Sequence, residues 1–324
     1  MPPFDAAGSI GTLVTSACGL PYVREVDHLW PIQEVHRTGA GTSAPRRCRR
    51  PLVRIAHAVD VDTVGWPPDC RFPRGAPDFP ALVLPPEFGQ VWAFKMERIS
   101  QYDDKGPGWY WNNFSCGEHT GTHFDAPVHW ISGKNHANNS VDTIDPANFI
   151  APAVVVDASA EVAEDPDWVL TVTHLQRWEA EHGRIPTGAW VLLRTDWSKK
   201  TDPAEFLGLR EDGAHTPGPE QAAVEWLIHE RNVHGFGVET INTDAGQSYA
   251  WSLPYPCHTL MHGANKYGLQ CLKNLDQLPP TGALIVAAPL KIQNGSGSPL
   301  RVLAIAATRS PSALTFTPPG AMTR

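Results

Sequence analysis

His119-Thr120-Gly121-Thr122-His123-Phe124-Asp125-Ala126-Pro127-Val128-His129 places three imidazoles and one carboxylate within eleven residues. Gly121, Thr120, Thr122 and Pro127 all work against a helix here. An extended chain alternates its side chains between two faces, and His119, His123, Asp125 and His129 all carry odd numbers. The spacing therefore predicts an extended segment that turns all four toward one side. Imidazole nitrogen and carboxylate oxygen together suit a borderline divalent cation such as Zn²⁺, Mn²⁺ or Fe²⁺. The segment reads as a metal centre rather than as ordinary polar loop residues.

From about residue 85 onward, strand and helix patterns alternate. Ala153-Val154-Val155-Val156 is a β-branched run between Pro152 and Asp157, which suits a buried strand. Thr173-His174-Leu175-Gln176 reads as a capping box opening a helix that stops near Gly183. Trp190 to Leu193 predicts a strand, and Pro219 and Glu220 open a helix that runs to about Arg231. Phe236 to Val238 predicts a strand and His258 to Gly263 a short helix. Further strands are expected near 269–272, 283–288 and 301–306. This alternation implies an α/β domain around a buried mixed sheet.

Several of these stretches carry a resemblance. HxGTHxDxPxH, present at every fixed position of 119–129, resembles the signature of the cyclase family of metal-dependent hydrolases. That family includes kynurenine formamidases (arylformamidases) and isatin hydrolases. Arg194-Thr195-Asp196-Trp197 resembles its RTGW, Thr216-Pro217-Gly218 its turn before a helix, and Gly235 to Thr240 its VGxDT strand. Asn274-Leu275 through Leu278-Pro279 resembles its NLxxLP ending. The resemblance covers roughly 85 to 308 and implies a swivelling β/α/β cyclase-like fold, a central mixed sheet or barrel flanked by helices.

The resemblance also implies roles. His119, His123 and Asp125 match the metal ligands and His129 the general acid/base, a task for which imidazole titrates in the right range. Members with two metals place a Glu twelve residues after a His; here Gln270 follows His258 at that spacing. A neutral amide offsets no charge, so a second divalent ion in a partly desolvated cleft loses support. One divalent ion, Mn²⁺ or Zn²⁺, is therefore expected. His258 and Gln270 would be further ligands, or Gln270 a hydrogen-bond donor to water or substrate. His262 lies one helical turn on from His258, and Glu239 and Asp244 are carboxylates at a predicted strand end. Trp111, Phe124, Trp130 and Trp251 are the aromatic residues expected against a flat apolar substrate.

Together these features predict a metal-dependent hydrolase opening an amide, lactam or lactone of a small cyclic or aromatic substrate, as isatin hydrolases do. Arylformamidase activity is the alternative, weakened by Gln270. A metal- or ligand-binding homologue without catalysis is the second, and His129 argues against it, since binding needs no proton carrier.

Bulk properties agree. The 324 residues can bury a sizeable core, and 42% hydrophobic composition excludes a disordered chain. Net charge of −8 argues against nucleic acid or an anionic membrane as partner. No long apolar run spans a bilayer, and Asp5 near the start does not suit a secretory signal. Six cysteines without CxxC spacing read as free thiols in a reducing cytoplasm. Residues 1–80, with the basic run Arg46-Arg47-Cys48-Arg49-Arg50, read as an arm preceding the hydrolase domain at 81–324, and a homo-oligomer, dimer or tetramer, is expected from the family.

Overall fold

The computed structural model describes residues 52–54, 94–104 and 108–306, all within one unit, Arg49–Arg324. The basic run at 46–50 and most of the expected arm lie outside these residues. Residues 52–54, inside the segment read as an arm, form strand β1 (Leu52–Arg54). Strands β2 (Lys95–Gln101) and β3 (Tyr110–Ser115) form a separate antiparallel hairpin. Then come β4 (His123–Asp125), β5 (Ile150–Asp157), β6 (Val169–Leu170), β7 (Trp190–Arg194) and the short β8 (Leu209–Arg210) and β9 (Gly213–Ala214). The last strands are β10 (Gly218–Pro219), β11 (Gly235–Val238), β12 (Tyr267–Gln270), β13 (Ala283–Val286), β14 (Gly297–Pro299) and β15 (Leu303–Ile305). The helices are α1 (Ser159–Glu164), α2 (Val172–His182), α3 (Pro203–Leu207), α4 (Gln221–His229) and α5 (Pro256–Gly263).

Nine strands make one mixed sheet in the order β1-β15-β13-β5-β7-β11-β12-β4-β14. The centre, β5-β7-β11-β12, is parallel, and antiparallel strands extend it on both sides. Parallel strands need crossovers, and α2 and α4 fill two of them. Alternation sorts the strand residues into two cores. Ala153, Val155, Trp190, Leu192 and Leu269 line one face together with Phe124. Val154, Val156, Val191, Leu193 and Phe236 line the other, beneath Leu175, Leu227 and Met261 of α2, α4 and α5.

The expected strands and helices at these positions are present, with ends shifted by a few residues. The capping box lies two residues earlier than predicted. Thr171 caps α2 by accepting from His174 N–H, and His174 Nδ1 accepts the Thr171 N–H in return. An imidazole does the work usually given to Glu at that position. The helix ends before Gly183, whose φ of 88° needs glycine. Gly235 serves packing instead. A Cβ there would meet the Trp190 ring at 2.4 Å, so only glycine lets that indole lie across β11.

Candidate metal centre

The 119–129 stretch is extended only at its middle, in β4. Gly121, with φ 64°, turns the chain before β4, and Pro127–His129 forms a 3-10 turn after it. This departs from the expectation of a continuous extended segment. The four polar side chains converge nonetheless, because the turns bring His119 and His129 back over the strand. The alternation that turns His123 and Asp125 toward α5 turns Phe124 the opposite way. Phe124 is fully buried, packed against Phe149, Trp190 and Tyr267. The expectation that it lines a substrate pocket is corrected: it belongs to the core.

Asp125 is the hub. Its cross-strand neighbours on β12 and β14 are both glycines, Gly268 and Gly297. A Cβ at Gly268 would come within 3.0 Å of Asp125 Oδ2, and one at Gly297 within 2.5 Å of His119 Cε1. The bare backbone on either side makes room for the carboxylate and its imidazoles. Oδ1 lies 2.7 Å from His119 Nδ1 and 3.3 Å from His123 Nε2. Oδ2 lies 3.6 Å from His258 Nε2 and accepts a short hydrogen bond from the Gln270 amide. His129 joins them, its ring centroid 3.9 Å from that of His119 and 5.6 Å from that of His258.

Backbone and side-chain partners fix the outer nitrogens. His123 Nδ1 meets the Gly121 carbonyl at 2.8 Å, leaving Nε2 to face Asp125. His258 Nδ1 lies 2.6 Å from Asp244 Oδ2, and Asp244 also accepts the Cys257 and His258 N–H groups at the start of α5. One carboxylate thus anchors the helix and aims the ring it carries, the usual arrangement behind a metal-binding imidazole. His262, one turn along α5, also faces the cluster, with Nδ1 held by the Lys266 carbonyl at 3.1 Å.

The electrostatics follow from this crowding. Burial opposes the Asp125 charge, yet the His123, His129 and His119 rings hold its carboxyl well below the usual carboxylate range. Burial pushes His129 down to about 3, and His119, His258 and His262 reinforce that against the pull of Asp125. Burial and the neighbouring His258 likewise bring His262 to about 4. His258 goes the other way, to about 9: burial disfavours its cation, but hydrogen bonds to Asp125 and Asp244 prevail.

Donor atoms of His119, Asp125 and His129 lie within 4.8 Å of one another, as do those of Asp125, His258 and His262. Imidazole nitrogens gathered around a buried carboxylate suit a divalent metal. Of the four aromatic residues expected at the substrate, only Trp130 touches this cluster. Its ring lies 4.9 Å from that of His258, and its Nε1 donates to Thr259 Oγ1. Trp111 stands exposed on the β2–β3 hairpin, and Trp251 is half-buried ahead of α5 without a ring contact to the site histidines. Glu239, the other strand-end carboxylate, bonds Thr195 and Ser198 instead of a site residue. Glu118 and Ser296, which no sequence motif marks, also join the site; Ser296 Oγ lies 3.0 Å from His119 Nε2, and Glu118 accepts from Ser296.

The Cyclase family model matches residues 53–245. Isatin hydrolase of Roseibium aggregatum is 48% identical over 73% of this chain and 90% of its own. The solved structure of isatin hydrolase A from Ralstonia solanacearum is 68% identical, with a TM-score of 0.73 over 79% of this chain and 92% of that one. Kynurenine formamidase of Polaromonas naphthalenivorans is more distant, 26% identical over 59% of this chain and 73% of its own. By signature, sheet and relatives alike, the chain belongs to the Cyclase family, as a hydrolytic enzyme of that group.

Proposed function

We propose that the protein opens the lactam ring of isatin or a close analogue, cleaving the bond between the amide carbonyl carbon and nitrogen. The observation that carries this reading is the make-up of the centre: imidazoles gathered on one buried carboxylate, with the neutral Gln270 amide donating to it where a second metal would want another carboxylate. Similarity to the isatin hydrolases, far above that to the formamidase, supports the lactam over the arylformamidase alternative.

In this reading His119, His123 and Asp125 hold one divalent ion, Mn²⁺ or Zn²⁺, with His258 beside them. Gln270 braces Asp125 rather than binding the ion itself. When bound, such an ion polarises a carbonyl and lowers the pKa of water toward ~7. His129 carries the proton. A ring nitrogen takes a proton from the attacking water and delivers it to the departing amide nitrogen. Water oxygen ends on the acyl carbon as a carboxylate, and the nitrogen leaves as an arylamine. Trp130 offers a flat apolar wall beside the reacting group.

A homo-oligomer in the cytoplasm belongs to the same proposal. Tyr102, Trp109, Trp111 and Phe114 stand exposed on the hairpin, and a lone two-stranded hairpin is marginal without support. No helix among the described residues is long and apolar enough to cross a membrane. Steady-state turnover of isatin, N-formylkynurenine and an aryl lactone by metal-loaded protein tests the substrate. Isatin is expected to react fastest. Faster formamide hydrolysis would favour the arylformamidase, and no turnover by metal-loaded protein would favour a binding homologue.

A further inference from the structure

Two glycines bracket Ser296, and both are closely packed. A Cβ at Gly295 would meet Val141 Cγ2 at 2.8 Å and Ile292 Cβ at 2.9 Å, with Glu118 Oε1 at 3.1 Å, and one at Gly297 would lie 2.5 Å from His119 Cε1 and from the Phe124 carbonyl oxygen. The Ser296 carbonyl accepts from Ala126 N–H at 2.9 Å, just beyond β4. Gly295-Ser296-Gly297 is thus moulded onto Glu118-His119, across more than 170 residues of chain (177 between His119 and Ser296).

The polar contacts have a direction. Glu118 Oε2 takes the Ser296 N–H at 3.1 Å and the Ser296 hydroxyl proton at 2.6 Å. A carboxylate only accepts, and a hydroxyl has one proton to give. With that proton on Glu118, Ser296 Oγ meets His119 Nε2, 3.0 Å away, as an acceptor. Neutral His119 therefore carries its N–H at Nε2 and turns the Nδ1 lone pair to Asp125 Oδ1, 2.7 Å away. Two acceptor atoms aimed at each other at that distance call for a cation. His123 and His258 are wired the other way, with Nδ1 engaged by Gly121 and Asp244 and Nε2 facing the hub.

We infer that Glu118 and Ser296 are positioning residues that set the tautomer of His119, making Nδ1 its metal-binding atom while His123 and His258 present Nε2. This rests on the metal reading proposed above. Losing the pair would let His119 carry its proton at Nδ1, where it blocks the lone pair the ion needs.

The test is Zn²⁺ affinity of the full chain, measured by competition with a chromophoric chelator, with melting temperatures recorded for the metal-free variants. Ser296→Ala should bind Zn²⁺ about 10–100-fold more weakly, and Ser296→Thr, which keeps the hydroxyl, should recover to within about threefold of wild type. Glu118→Gln should also weaken binding, because its amide can donate to Ser296 Oγ and turn the hydroxyl proton onto His119. These losses should come without a matching fall in melting temperature. If Ser296→Ala and Glu118→Gln both bind Zn²⁺ within about twofold of wild type, the inference fails while the metal reading stands. If affinity falls only in step with melting temperature, the pair is merely structural and the inference fails. If Ser296→Ala does not fold, Glu118→Gln decides alone. Wild-type protein that binds no Zn²⁺ would overturn both readings.

Discussion

Replacing Glu239 by glutamine should change how stability depends on pH. Glu239 follows β11 and is almost wholly buried; its carboxylate accepts Thr195 N–H at 2.8 Å and Ser198 Oγ–H at 2.8 Å. Burial lifts its pKa from an ordinary 4.5 to about 7, against the pull of those two hydrogen bonds. The folded state therefore holds this proton more tightly than the unfolded chain does. Its contribution is fully present below 4.5 and is lost as pH rises through about 7. At roughly 1.4 kcal/mol for each unit of pKa, the loss across that window is about 3 kcal/mol. The amide introduced by Glu239→Gln would resemble the protonated acid at every pH: its carbonyl can take the Thr195 N–H, and its NH₂ can donate to the Ser198 hydroxyl. The variant should match wild type near pH 5 and exceed it by about 2–3 kcal/mol at pH 8, where the carboxylate is charged. Urea unfolding at half-unit steps of pH from 5 to 8 would measure this, if metal content is kept constant. Parallel curves for the two proteins would refute the reasoning, because they would mean that Glu239 titrates alike in the folded and unfolded states.

Two predictions concern the metal centre. His129→Ala should retain bound metal, measured by elemental analysis, while isatin turnover falls about 10²–10⁴-fold, the usual share of a proton carrier; wild-type turnover would remove His129 from the mechanism. Wild type should hold close to one divalent ion per chain after dialysis, and Gln270→Glu should raise occupancy toward two, because a carboxylate beside Asp125 and His258 offsets a second cation; two tightly held ions in wild type would refute the one-metal argument.

The sequence disclosed the sheet and the hub of the site but not the supports behind them. Val154 to Val156 and Val191 to Leu193 read as strands because they are unbroken apolar runs, which is what a parallel strand buried on both faces requires. His119, His123, Asp125 and His129 were visible because they are close in the chain and share one chemistry. Phe124 reads as a pocket residue from its place in the motif, but the alternation that turns His123 and Asp125 to the site sends it into the core. Asp244 could be suspected from its place near a strand end, but its bond to His258 depends on where α5 lies. Glu118 and Ser296 gave no local signal. Gly295-Ser296-Gly297 resembles an ordinary turn until folding sets it against His119. The only trace in the sequence is that both neighbours of the serine lack a side chain.

The order of strands at the site end of the sheet has a consequence for how the protein is made. β4 pairs with β12 on one side and β14 on the other, so Asp125 faces Gly268 and Gly297. During synthesis His119, His123 and Asp125 leave the ribosome long before either partner strand. The exposed imidazoles must wait through well over a hundred residues for the backbone that shapes their pocket, a delay characteristic of non-local β pairing. An ion captured early would meet a flexible chain with few of its ligands in place. On the metal reading proposed above, ion insertion would follow closure of the sheet, and the fraction of loaded protein in a cell would measure folding completed as well as metal supplied.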